Sequence, residues 1–189
     1  VEDKDVKLIE YLAKHDHFTP FTHATVTMRE RVPLFVARQR FKHTIGFSYN
    51  EISRRYVYDD PEFYKPDEWR GKAEDKKQGS SNVVININPA TNSGSKAMVD
   101  DYDHAINLCV WVYKQMIRKG VCPEQARMVL PQSMYTEYYV TGSLYAWARA
   151  FNLRSQPDAQ QEIQEIAKEW DDIMILLFPE CWMALTTPW

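Results

Sequence analysis

Cysteine is scarce: Cys109, Cys122 and Cys181 are the three in 189 residues. An odd number at wide spacings implies neither a disulfide framework nor a zinc knuckle, and points to a reducing cytoplasm. Long apolar runs are absent too, so no stretch reads as a membrane span. The N-terminus is charged from Glu2 onward, so no secretory leader is expected in this stretch. There is no broad basic excess, because the formal net charge is -3. That argues against a general nucleic-acid binder. Internal repeats are absent. What is present is 44% hydrophobic and 13% aromatic residues, enough for one globular domain over residues 1–189 with a substantial core.

Against the acidic background, Phe35 to Tyr56 is a local exception. It holds Arg38, Arg40, Lys42, His43, Arg54 and Arg55 against one acid, Glu51. Leu34, Ala37, Phe41 and Ile45 form an apolar stripe at helical spacing. Arg38 and Lys42 then stand at i, i+4 on another face, with Gln39 and His43 beside them. Gly46 is expected to break that helix, and Ser48, Asn50, Glu51 and Ser53 to form a polar loop before Arg54-Arg55. Concentrated like charge fits either a solvated basic face or a site for an anionic ligand; the polar, Arg-bearing loop favours a phosphorylated small molecule.

Around this stretch, Asp5 can cap a helix ending near His15, and Pro20 makes His17 to Phe21 a loop. Ala24 to Val32 alternates like a strand, with Pro33 opening the basic helix. Residues 67–97 read as a long mobile connection with a short extended run at Val83 to Ile87. Within it Lys76, Lys77 and Gly79 admit an anion contact or a solvated linker. A helix is expected from Asp100 to Lys119, with Gly120 as its stop. A short helix from Pro123 carries Arg127. Met134 to Val140 is a candidate strand, Ser143 caps a helix through Phe151, and a last helix starts near Pro157. The tail to Trp189 is left unassigned.

Three blocks in order carry a resemblance to a known family. The first is His15-Asp16-His17-Phe18-Thr19-Pro20-Phe21-Thr22-His23. The second is Arg38-Gln39 through Asn50-Glu51 and Ser53-Arg54-Arg55-Tyr56. The third is Ala126-Arg127-Met128-Val129-Leu130-Pro131, followed by Tyr135-Thr136, Asn152-Leu153-Arg154 and Ala159-Gln160 with Glu162-Ile163. Together they resemble the flavin-dependent thymidylate synthases over roughly Leu8 to Ile166. The resemblance implies an α/β (α+β) fold, a twisted mixed sheet packed by long helices. It implies reductive methylation of deoxyuridine monophosphate (dUMP). Methylenetetrahydrofolate gives the one-carbon unit, FAD the hydride, and NADPH re-reduces the flavin. It also implies a cytoplasmic homotetramer with shared active sites.

Carried over residue by residue, the resemblance gives dUMP to Gln39, Lys42, Glu51, Ser53, Arg54, Arg55, Arg127 and Arg154. Arg154 takes the catalytic role beside the pyrimidine. FAD falls to His17, Thr19, Lys42, His43, Thr44, Glu51, Ser143, Tyr145 and Arg149. The chemistry agrees. No cysteine lies in a matched block or has a His–Asp partner nearby in sequence, and a flavin hydride route needs no cysteine nucleophile. His15, His17, His23 and His43 lack a carboxylate or cysteine at a metal spacing, so no metal is assigned.

The chain also departs from the pattern. Lys42-His43-Thr44 stands where the family commonly has Arg-His-Arg, which loses a planar fork and then a cation. Ser143-Leu144-Tyr145 and Arg149 replace Asn-Ala-Arg and a later Asn. The family's N-terminal strand and helix are expected to be missing before Val1. The altered triplet keeps open a non-catalytic nucleotide- or flavin-binding relative, and the basic helix with Phe41, Phe47 and Tyr49 keeps open a nucleic-acid module.

Overall fold

Alternation dictates the first strand. In β1 (Thr25–Pro33), Met28, Glu30 and Val32 point into the protein while Thr25, Thr27, Arg29 and Arg31 face out. The structure is a computed structural model describing residues 2–53, 60–73, 80–85 and 93–187. β1 pairs antiparallel with β5 (Tyr135–Ser143), and β5 pairs on its other edge with β2 (Phe47–Glu51). The order is β1-β5-β2, so β5 is the central strand. The α/β class stands, with antiparallel sheets among the described residues.

Helices cover one face of that sheet. β1 leads into α2 (Leu34–Arg40) through Pro33, whose extended backbone sits just before the first helical turn. β5 leads into α5 (Leu144–Arg154), where Ser143 Oγ accepts from Ala146 N as the expected cap. α6 (Gln161–Leu177) buries Ile163, Ala167, Trp170 and Met174 against them. The core therefore joins Val36, Tyr138, Val140, Leu144, Trp147, Trp170 and Trp182. α1 (Asp3–Lys14) packs on α7 (Pro179–Thr186), the helix in the tail that sequence left unassigned. Trp182 fixes that corner, its indole N–H donating to Asp171 at 2.6 Å.

Four expectations need correcting. The basic helix ends at Arg40, not at Gly46, and Ile45 is 73% exposed rather than part of an apolar stripe. The reason is tertiary: the Tyr49 hydroxyl of β2 reaches the Arg40 and His43 carbonyls, and Gly46, at φ +79° in the turn into β2, lies so close to α5 that a Cβ there would meet Ala146 Cβ at 2.8 Å. Ser48 to Glu51 form strand β2 rather than a loop, because β5 offers a free edge to pair with. The 67–97 connection contains a hairpin of β3 (Trp69–Lys72) and β4 (Ser80–Ile85). It also contains the first turns of α3 (Ser93–Arg118), which begins before Asp100. Lys76, Lys77 and Gly79 lie outside the described residues. α4 (Pro123–Ala126) and the 3-10 turn Arg127–Val129 follow as expected. No helix among the described residues is long and apolar enough to cross a membrane.

Candidate active site

The turn between α2 and β2 faces the C-terminal half of α5. Their meeting encloses a cavity of about 260 Å³ lined by Lys42, His43, Thr44, Phe47, Arg149 and Arg154, among others. Arg154 is the last residue of α5, where a cation is favoured by the helix dipole. Its Nε–H donates to His43 Nε2 at 2.8 Å, and its Nη2 reaches the Gln39 carbonyl at 3.5 Å. That bond needs a lone pair on Nε2, so His43 is neutral with its proton on Nδ1. Burial, then the charges of Arg154, Arg40 and Arg149, push the His43 pKa down to about 4. Burial, followed by the Arg40 charge, also lowers the Arg154 pKa. No salt bridge ties Lys42, Arg149 or Arg154 to a carboxylate among the described residues. The cavity is thus lined by cations that an anionic ligand would balance.

Arg149 also lines a second cavity, of about 340 Å³, with Lys14, Asp16, Phe18 and Tyr145. Here the His17–Thr19 loop reaches α5. Phe18 stacks on Tyr145 at 5.1 Å between ring centroids, and the Arg149 guanidinium lies 6.0 Å from the Tyr145 ring. His17 and Thr19 are exposed on that loop. Arg149 therefore sits between the first and second motif blocks.

Gln39 is held from a different direction. Its side-chain amide donates to Gln160, Gln160 donates to Glu162 at 2.8 Å, and Arg70 donates to Glu162 at 2.6 Å. Sequence reading quoted Gln160 and Glu162 within a matched block but gave them no role, and it missed Arg70 entirely. Glu162 is 8% exposed, and the signal available in the sequence was a carboxylate beside Ile163 at the start of an amphipathic helix. Arg70, its hydrogen bonds first among the favourable influences, holds Glu162 below the ordinary carboxylate range despite the opposing effect of burial.

Other predicted residues are placed as follows. Glu51, at the end of β2, accepts from Thr136 Oγ1 at 2.5 Å. Ser53 follows two residues later. Ser143 spends its hydroxyl on the α5 cap. Arg127 stands exposed on its 3-10 turn against α3 and α4 and does not line the cavity with Arg154. Arg54 and Arg55 lie outside the described residues. Arg40, counted in the cationic run, leaves it: it is 0% exposed and bonded to Glu30.

Residues 1–180 match the family model described as thymidylate synthase complementing protein. The chain belongs to the flavin-dependent thymidylate synthase family. A flavin-dependent thymidylate synthase from Thermosipho africanus is 39% identical over 165 residues, covering 87% of this chain and 69% of the relative. One from Thermus thermophilus is 35% identical over 181 residues, covering 96% of this chain and 63% of the relative. Among solved structures, a UMP/dUMP methylase, PolB from Streptomyces cacaoi bound with 5-Br dUMP, superposes with a TM-score of 0.83 at 27% identity. That match covers 98% of this chain and 81% of that one. Membership in the flavin-dependent synthase family accounts for a cationic site with no cysteine in its lining.

Proposed function

We propose that this protein converts dUMP to thymidylate, with methylenetetrahydrofolate as one-carbon donor and NADPH as reductant. FAD, when bound, supplies the hydride. The observation that carries this reading is the Arg154–His43 hydrogen bond in a cavity lined by cations with no carboxylate partner among the described residues. Arg154, held by a neutral imidazole rather than neutralised by an acid, keeps its full charge for a pyrimidine ring that becomes anionic as it reacts. A fixed cation beside developing negative charge is effective because it needs no reorganisation. Arg55 and Arg127 would grip the phosphate, with Gln39, Lys42, Glu51, Ser53 and Arg54 completing the nucleotide contacts.

The residues present fit a flavin. Lys42, His43, Thr44 and Arg149 offer donors to its phosphates or ring, and Tyr145, stacked with Phe18 in the adjoining cavity, an aromatic edge near His17 and Thr19. Glu51 and Ser143 fall to the same cofactor by the family pattern. A cavity of about 260 Å³ holds only part of a molecule the size of FAD. Arg127 also stands away from Arg154 within one chain. Both observations support a site completed by a second copy, and the family pattern makes that assembly a homotetramer. We place the enzyme in the cytoplasm, where its three free cysteines stay reduced.

An absorbance spectrum of the purified protein tests the reading. The protein should be yellow, bleach with NADPH and dUMP, and form thymidylate once methylenetetrahydrofolate is added. A colourless protein that cannot be loaded with FAD refutes it. A yellow protein that binds dUMP without turnover supports instead the non-catalytic alternative that Lys42-His43-Thr44 left open.

A further inference from the structure

We propose that Arg40, buried behind the site, is a positioning residue that acts through Tyr49 to present His43 to Arg154. The inference rests on the reaction proposed above.

Arg40 is enclosed completely. Its Nε is 3.2 Å from both oxygens of Glu30, itself 7% exposed. Its guanidinium carbon lies 4.4 to 5.2 Å from the ring centroids of Phe47, Trp170, Trp147 and Tyr49. Tyr138 closes the far side, donating to Glu30 at 2.5 Å. Even so, Arg40 Nη2 has no hydrogen-bond partner among the described residues. Removing two charges from water is costly, and apolar replacements of such pairs are often as stable or more so. Stability alone does not account for an incompletely bonded guanidinium at this place.

Its bond to Tyr49 gives it a second role. Arg40 Nη1 donates to the Tyr49 hydroxyl at 2.6 Å, occupying one of its lone pairs. The single hydroxyl proton is then free for a carbonyl, and the His43 carbonyl at 2.8 Å is nearer than that of Arg40 at 3.1 Å. Tyr49 belongs to β2, which is fixed by pairing with β5. The α2–β2 turn is thereby tied at His43 to the sheet, and the imidazole is held opposite Arg154. Without the Arg40 guanidinium, the hydroxyl loses the donor that commits its own proton to the carbonyls.

The buried charge adds to the effect. His43 faces Arg154 and Arg149 from α5, its neighbour Lys42, Arg40 from α2 and Tyr49 from β2, with Glu30 of β1 beyond Arg40. Arg40 is one of the cations that disfavour the imidazolium. The geometry and the charge both keep Nε2 available as an acceptor.

Two variants of the FAD-loaded enzyme test this. Tyr49→Phe removes the tether and keeps every charge. The double variant Glu30→Gln/Arg40→Met removes the charge pair together, avoiding a stranded ion. His43 is followed by NMR titration of its ring, alongside kcat, KM for dUMP and thermal melting. Both variants should lower kcat by about tenfold, the loss expected when one orienting hydrogen bond goes. The double variant should also raise the His43 pKa toward its ordinary value by more than the Tyr49→Phe change does. Folded variants with altered melting but wild-type kcat and wild-type His43 titration overturn the proposal. If the double variant does not fold, Tyr49→Phe decides it through kcat. If the wild-type enzyme makes no thymidylate, the proposed reaction fails. The His43 titration in the two variants then still reads whether Arg40 positions the imidazole.

Discussion

Acidification should destabilise this protein through His43, by an amount that the variant His43→Asn isolates. The imidazole has an ordinary pKa of 6.5 when unfolded and about 4 in the fold. Between those values the unfolded chain binds a proton that the folded one refuses. Its stabilising contribution is therefore present above pH 6.5 and is lost as pH falls toward 4. From pH 7.5 to 4.5 an unscreened site would lose about 2.5 kcal/mol. His43 is only half-buried, so solvent screening reduces this to about 1 kcal/mol. For a chain of this length that is a melting shift of about 2–4 °C. Wild-type melting should fall by that much more than His43→Asn melting does over the same range, measured by circular dichroism. Asparagine can still accept from Arg154 without titrating, so the other groups cancel in the difference. Parallel curves for the two proteins would refute the neutral, Arg154-bonded imidazole.

The remaining predictions concern the ligand and the scaffold. Arg154→Ala should leave folding and flavin content near wild type and lower kcat by about 100-fold or more, the scale of losing one electrostatic stabiliser; steady-state kinetics check it, and full activity removes the assigned role. Arg127→Ala should weaken dUMP binding by about tenfold in calorimetry, the value of one charge-assisted phosphate contact; an unchanged dissociation constant counts against a shared site. Gly142→Ala should destabilise by about 1–3 kcal/mol, because the new Cβ would lie 2.4 Å from the Phe47 ring in a strand paired on both edges; denaturant unfolding reads it, and an unshifted midpoint shows that the ring moves freely.

The sequence showed much of the local structure because local rules governed it. The β1 alternation and the Pro33 and Ser143 positions needed no partner to be read. The extent of α2 was not readable, because the turn that follows Arg40 is set by tertiary neighbours, Tyr49 of β2 and Ala146 of α5. Strand β2 looked like a polar loop, since an edge strand takes its pattern from the one neighbour it joins. The long connection hid a hairpin whose Arg70 is anchored by Glu162, which lies 92 positions later.

By itself the sequence determined a site for an anionic ligand and, through three ordered motif blocks, a resemblance to a family whose reaction class follows from membership. Motif blocks, a cationic run and cysteines outside those blocks are properties of residue type and spacing. Only the tertiary structure decided which cations face a ligand. Arg40 and Lys42 are two residues apart, yet one is sealed among aromatic rings on Glu30 and the other opens onto the cavity. Burial depends on what the rest of the chain packs against each side chain, and a buried charge survives only where a distant residue compensates it.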